Sequence, residues 1–312
     1  MLTLTQEFTK ACEECVTVSL TDYGIIALSG ADAQSFLQGQ LTCDLNQLEQ
    51  QGWLYGALCD PTGKAFSVFW LTRWNERLLL IQQRESIEKA LAQLQKYAIF
   101  NQVEIRDISA DTKILGIFGE SCNNKLSPLL KAEIDAAVVN QPEWVALRVG
   151  EAPQQWLVIG HSGIDAEYDQ RYWQALEIER GRPQIAALTQ LAFVPQMLNV
   201  QALNGISFTK GCYIGQETIA RMKYLGKQKR AMFRLSGKAT ALPQPGATVE
   251  VALGEQRWRR AGTVISAVNR AEHHCDLLAV LPADATAEQT FRLRDDEASL
   301  LEIHSLPYQL ET

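Results

Sequence analysis

The sequence predicts an α+β protein, with a mixed sheet-and-helix region over residues 1–229 and a small β-barrel over residues 230–312. Three observations carry this expectation. Short apolar runs alternate with stretches of helical spacing through the first two thirds of the chain. After about Lys229 the helical spacing stops and six short β-prone segments follow one another. Turn residues such as Pro243-Gln244-Pro245-Gly246 separate those segments. The chain of 312 residues exceeds what one compact core usually serves, and 46% hydrophobic with 21% charged residues is ordinary for a globular protein.

Residues 23–28 are apolar and β-prone, and Ser29-Gly30-Ala31-Asp32 then supplies a turn and a helix cap before Phe36 and Leu37. Segments 53–58 and 65–71 flank Cys59-Asp60-Pro61-Thr62-Gly63-Lys64, whose Pro and Gly predict a hairpin turn. A strand over 78–82 precedes a helix over about 86–97, in which Ile87, Leu91 and Leu94 form one stripe. Val103, Ile105 and the run 114–118 add strands, so residues from about 60 to about 120 form a ferredoxin-like layer of sheet and helix. Residues 165–180 have helical spacing with Trp173 and Leu176 on one side, and Gly181-Arg182-Pro183 ends them. The barrel strands are expected over 231–235, 248–253, 261–268, 277–281, 291–294 and 300–303.

No apolar stretch approaches the ~20 residues that cross a bilayer, and no basic region followed by an apolar run opens the chain, so the expected location is the cytoplasm. Seven cysteines, scattered through a chain too large to need staples, read as reduced thiols. Cys12-Glu13-Glu14-Cys15 has redox or metal spacing, but no second pair or histidine completes a ligand set. A net charge of −7 argues against a surface wholly devoted to nucleic acid. The cations Arg221, Lys223, Lys227, Lys229 and Arg230 form a local exception, read either as a solvated face or as a phosphate contact.

The run Lys210-Gly211-Cys212-Tyr213-Ile214-Gly215-Gln216-Glu217 joins a thiol, an aromatic, a cation and a carboxylate to two glycines that permit close backbone approach. For Cys212 the reading from residue type alone is a small buried side chain, and the motif favours a functional sulfur whose thiolate Lys210 could stabilise. This run resembles the signature of the YgfZ family within the glycine-cleavage T-protein superfamily. The resemblance extends to Phe36-Leu37-Gln38-Gly39-Gln40-Leu41-Thr42-Cys43-Asp44, Asp60-Pro61-Thr62-Gly63-Lys64, Leu203-Asn204-Gly205-Ile206-Ser207-Phe208, Trp258-Arg259-Arg260-Ala261-Gly262-Thr263-Val264 and Leu306-Pro307-Tyr308.

The resemblance implies a T-protein-like fold that binds tetrahydrofolate or another folate, with Trp173 and Lys210 among the contacts and Tyr23 where relatives have a second tryptophan. Glu179 resembles the T-protein glutamate that would orient the pterin edge. Six residues of helix separate Trp173 and Glu179 by roughly 240°, so both meet one ligand only where the helix ends or the pocket wraps around it. T-proteins that transfer an aminomethyl group carry an acid where this chain reads Ser67-Val68, so the resemblance holds for binding and fails for that chemistry. What it implies is a folate-binding protein supporting tRNA modification and iron–sulfur enzyme maintenance through Cys212. Its partners would be iron–sulfur tRNA-modifying enzymes, with tRNA contact through Lys227, Lys229 and Arg230, and no bound metal. A folate-dependent one-carbon transferase acting on nucleic acid or protein is the alternative, and a nucleic-acid-binding module the third.

Overall fold

The computed structural model describes residues 4–122, 126, 136–226, 228–254 and 257–310. Two five-stranded antiparallel sheets and a closed barrel account for the described strands. The first sheet runs β3 (Trp53–Cys59), β4 (Ala65–Trp74), β5 (Arg77–Gln83), β2 (Tyr23–Ser29), β6 (Glu104–Asp107). Strands β2, β3, β4 and β5 read as largely apolar runs because both their faces are buried, whereas the edge strand β6 is mostly exposed. Ile25, Ala27, Tyr55, Trp70, Leu79 and Ile81 face the main core, while Ile26, Leu28, Leu78 and Leu80 face a second core under the helix Ile87–Tyr97.

The second sheet runs β1 (Val16–Ser19), β7 (Ile114–Phe118), β10 (Gln155–Gly160), β9 (Trp144–Gly150), β8 (Val138–Asn140). Ile114, Phe118, Val145, Leu147, Leu157 and Ile159 turn to the same main core. The helix Arg171–Glu179 also packs into that core, burying Trp173, Leu176 and Ile178. It begins later than the predicted residue 165. Glu167 and Tyr168 donate backbone N–H groups to the Thr17 carbonyl beside β1, and Asp169 Oδ1 then accepts from the Arg171 N–H at 2.8 Å.

The barrel comprises β11 (Arg230–Lys238), β12 (Thr248–Ala252), β13 (Trp258–Ala271), β14 (His274–Pro282), β15 (Phe291–Leu293) and β16 (Asp296–His304), in the order β11-β14-β13-β12-β15-β16. It closes where β16 pairs back onto β11, with His304 opposite Arg234. Phe233, Leu235, Val249, Leu277 and Phe291 are buried together in one cluster. Met232, Ile265, Val268, Leu278 and Val280 join the main core, so the barrel wall seals the side of the helix Arg171–Glu179.

The expectation for the cysteines is also corrected. Cys15 and Cys122 form a disulfide spanning 107 residues, so the seven cysteines are not all thiols. The end of the helix Leu4–Glu13 meets the turn after β7 because Glu120 and Ser121 donate to the Cys12 and Glu14 carbonyls.

Candidate functional site

A cavity of about 460 Å³ opens where the first sheet, the helix Arg171–Glu179 and the barrel meet. Tyr23 and Trp173 both line it. Tyr23 opens β2, and its ring lies 5.8 Å from that of Trp70 on β4. Its hydroxyl accepts from Gln184 Nε2 at 3.0 Å, and burial, more than any neighbour, pushes its pKa far above the ordinary phenol value. Trp173 lies flat against Gly116 of β7, where a Cβ would collide with the indole ring. That indole is buried, and its side-chain contact with the Tyr23 hydroxyl offsets a small part of the rise in that phenol's pKa. Gln83, Gln170, Gln174 and Gln184 add amide groups to the same wall.

Glu179 ends the helix and does not line this cavity. Its carboxylate turns to the barrel, accepting from Arg270 Nη2, with Arg234 Nη2 at 3.9 Å. The helical offset noted in the sequence therefore separates it from Trp173, and its barrel cations hold it there. Glu177, which sequence reasoning passed over, is the inward carboxylate of this helix. It is 1% exposed and paired with Arg182 at 3.1 Å, while Gln155 Nε2 donates to it at 2.7 Å. The Arg182 guanidinium lies 5.9 Å from the Trp70 ring, so this pair lies behind the aromatic wall.

Lys210 is likewise turned away from the cavity. Its side chain is buried, and Nζ donates to the Leu41 carbonyl at 3.0 Å and the Cys43 carbonyl at 2.6 Å. Burial pushes the ammonium pKa down to about 8. The same contacts turn it inward from Cys212, whose side chain is exposed rather than buried. None of residues 210–217 lines the Tyr23–Trp173 cavity, so thiol and cavity are separate features.

The signature loop instead packs against three other quoted segments. Ile214 N–H donates to the Gly39 carbonyl at 3.1 Å, and Lys210 N–H to Ser207 Oγ at 3.2 Å. Gly215 has φ +83, and a Cβ there would lie 2.7 Å from the Asp60 carbonyl oxygen and 2.8 Å from Gly63 Cα. Gly215 is thus required by backbone-to-backbone contact between the loop and the hairpin turn, while at Gly63, with φ +83, an added Cβ would first meet the Thr218 side chain. Gly215→Ala should lower stability by about 1–3 kcal/mol, read as a reduced urea midpoint. Gly211→Ala, where an added Cβ meets nothing within 4 Å, is the silent control.

Residues 228–296 match the family model of the YgfZ β-barrel domain, and residues 2–173 that of the GCVT N-terminal domain. The tRNA-modifying protein YgfZ of Colwellia psychrerythraea is 37% identical over 309 residues, covering 95% of this chain and 94% of its own. That of Yersinia pestis is 39% identical over 307 residues, covering 94% and 92%. The chain belongs to the YgfZ family. The crystal structure of glycine cleavage system aminomethyltransferase T from Bartonella henselae superimposes with a TM-score of 0.69 at 17% identity, covering 98% of this chain and 89% of that one. This likeness establishes the T-protein fold for this YgfZ-family chain.

Ser67 and Val68 of this YgfZ-family member are both withdrawn from solvent. Ser67 Oγ donates to Gln82 Oε1 at 2.8 Å, Gln82 Nε2 donates onward to Ser86, and Val68 sits in the main core. Of the basic run, Arg221, Lys223 and Lys229 are exposed, Arg230 donates to the Ala261 carbonyl, and Lys227 lies outside the described residues. Trp258 opens β13 half-buried, with the Arg292 guanidinium 4.5 Å from its ring.

Proposed function

We propose that this chain binds a reduced folate at the Tyr23–Trp173 cavity and supports tRNA modification in the cytoplasm as an accessory protein. The observation that carries the reading is that two aromatic side chains from distant elements share the wall of one cavity of about 460 Å³. That volume falls within the range of small-molecule sites, roughly 300–1,000 Å³. A pterin is flat, and stacking of comparable bases contributes ~1–3 kcal/mol per aromatic. Glutamine amides both donate and accept, which suits the alternating edge of a pterin. A bound folate would supply a one-carbon carrier, and these residues would hold its ring and exclude water from it.

The tRNA half of the reading is supported by relatives named tRNA-modifying proteins that align over nearly the whole chain. Among the described residues no helix is long and apolar enough to cross a membrane. Cys212, exposed on the signature loop, would serve iron–sulfur enzymes that modify tRNA. The burial of Ser67 and Val68 favours this accessory role over one-carbon transfer, since neither can act as the T-protein acid.

Titrating tetrahydrofolate should quench tryptophan fluorescence saturably at micromolar ligand, and Trp173→Phe should remove most of the response. No saturable change would overturn folate binding. Cys212→Ala should leave the titration intact while lowering tRNA thiomethylation in cells. Turnover of methylene-tetrahydrofolate with cell RNA beyond one equivalent would favour the transferase.

A further inference from the structure

A second concavity, of about 580 Å³, lies between the helix Gln216–Tyr224 and the entry to the barrel, apart from the folate cavity. Gln196, Gln201, Phe208, Met222, Ala231 and Leu310 line it. Its floor is apolar, yet it holds an unmet polar demand. Gln196 is 3% exposed, and its Nε2 is committed to the Ile219 carbonyl at 2.7 Å, which fixes the amide orientation. Its Oε1 accepts nothing, and Gln201 Oε1 is likewise buried without a donor. Such acceptors cost free energy unless a donor reaches them.

The surroundings are aromatic and largely cationic, with Lys223 and one acid, Asp284, on the lining itself and Tyr224 beside it. Phe208 meets Tyr224 edge to face at 6.3 Å, and Tyr224 is 66% exposed. Lys223 Nζ lies 5.4 Å from the Phe208 ring, and Arg221 and Lys229 are exposed on the same stretch of chain. Against a net charge of −7, this is a local reversal of sign. Aromatic faces beside cations are the chemistry that holds an unpaired nucleotide, the ring stacking and the phosphates meeting the charge.

We infer that this groove receives an unpaired nucleobase of RNA, one bearing an exocyclic amine, with Tyr224 and Phe208 as the stacking faces and the Gln196 and Gln201 carbonyls accepting from the amine. The inference rests on the tRNA reading above and adds the part of the RNA that is read. An amine carries two N–H donors, matching two unpaired acceptors, whereas purine without that amine offers none in that position.

The test uses the full-length protein and two fluorescent oligoribonucleotides of equal length, oligoadenylate and an oligomer of purine riboside. Both stack and carry the same phosphates, and only the first has the amine. Oligoadenylate should bind about tenfold more tightly, the effect of two neutral hydrogen bonds. Gln201→Leu, which removes one of the two acceptors, should cut that ratio to about threefold, and Tyr224→Ala, at an exposed position, should weaken both oligomers by about five- to hundredfold. Equal binding of the two oligomers overturns the inference, as does wild-type affinity in the Tyr224→Ala protein. Light scattering that shows the groove filled by a second copy, undisturbed by oligomer, also overturns it. Cellular tRNA thiomethylation separates this failure from that of the broader reading. Normal thiomethylation without the protein removes the tRNA role, whereas equal oligomer binding with thiomethylation still dependent on the protein removes only the groove.

Discussion

Replacing Arg270 with methionine is expected to destabilise the protein by about 3–5 kcal/mol, because it leaves a buried carboxylate short of its partner. The side chains of Arg270 and Asp276 are each 5% exposed. Arg270 Nε donates to Asp276 Oδ2 at 2.9 Å, its Nη2 reaches Glu179, and Arg234 Nη2 donates to Asp276 at 3.1 Å. This network ties the end of the helix Arg171–Glu179 to β11, β13 and β14. Its loss should appear as a lower urea midpoint at unchanged slope. Arg270→Met combined with Asp276→Leu should recover much of the loss, since both charges then leave together.

The same network sets an acid limit. Burial pushes the Asp276 carboxyl upward, but the Ser236 hydroxyl and the Arg270 and Arg234 guanidinium groups outweigh it and hold the carboxyl below its ordinary value. The folded chain therefore binds its proton less readily than the unfolded chain. The contribution is complete above about pH 4 and is lost as pH falls through the folded value. In the double variant that part of the acid slope should vanish.

What was legible in the sequence follows from the range of the interactions involved. The barrel strands were readable because turn residues bracket each one, and all six predicted segments overlap observed strands. By contrast β8, β9 and β10 escaped notice. In β9 and β10 apolar residues face buried clusters on both sides, so Trp144–Gly150 and Gln155–Gly160 carry no alternation to distinguish strand from helix. Tyr23 and Trp173 were legible through family resemblance, and their meeting at one cavity is a property of the fold. The orientations of Glu179 and Lys210 were not. Each is decided by partners far along the chain, Arg270 for the one and the Leu41 and Cys43 carbonyls for the other. The Cys15–Cys122 link is of the same kind.

Lys210→Met should therefore act on stability rather than on the folate titration. The substitution leaves the Leu41 and Cys43 carbonyls without this donor, at roughly 1–3 kcal/mol each, while removing an ammonium that burial disfavours, so a net loss of about 2 kcal/mol is expected. The ring of Tyr213 lies 5.2 Å from Nζ and loses its cation as well. A pH signature distinguishes this from simple loss of packing. The folded-state pKa of about 8 lies below the ordinary lysine value near 10.4, because burial disfavours the charged form. Across that window the unfolded chain holds a proton that the folded chain has released, so this group makes stability rise with pH. The stability difference between wild type and Lys210→Met should thus change between about pH 8 and about 10.4, while saturation of the Trp173 fluorescence signal by tetrahydrofolate at neutral pH stays as in wild type. A flat difference across that range, or a lost folate response in a protein that still unfolds cooperatively, would return Lys210 to the ligand site.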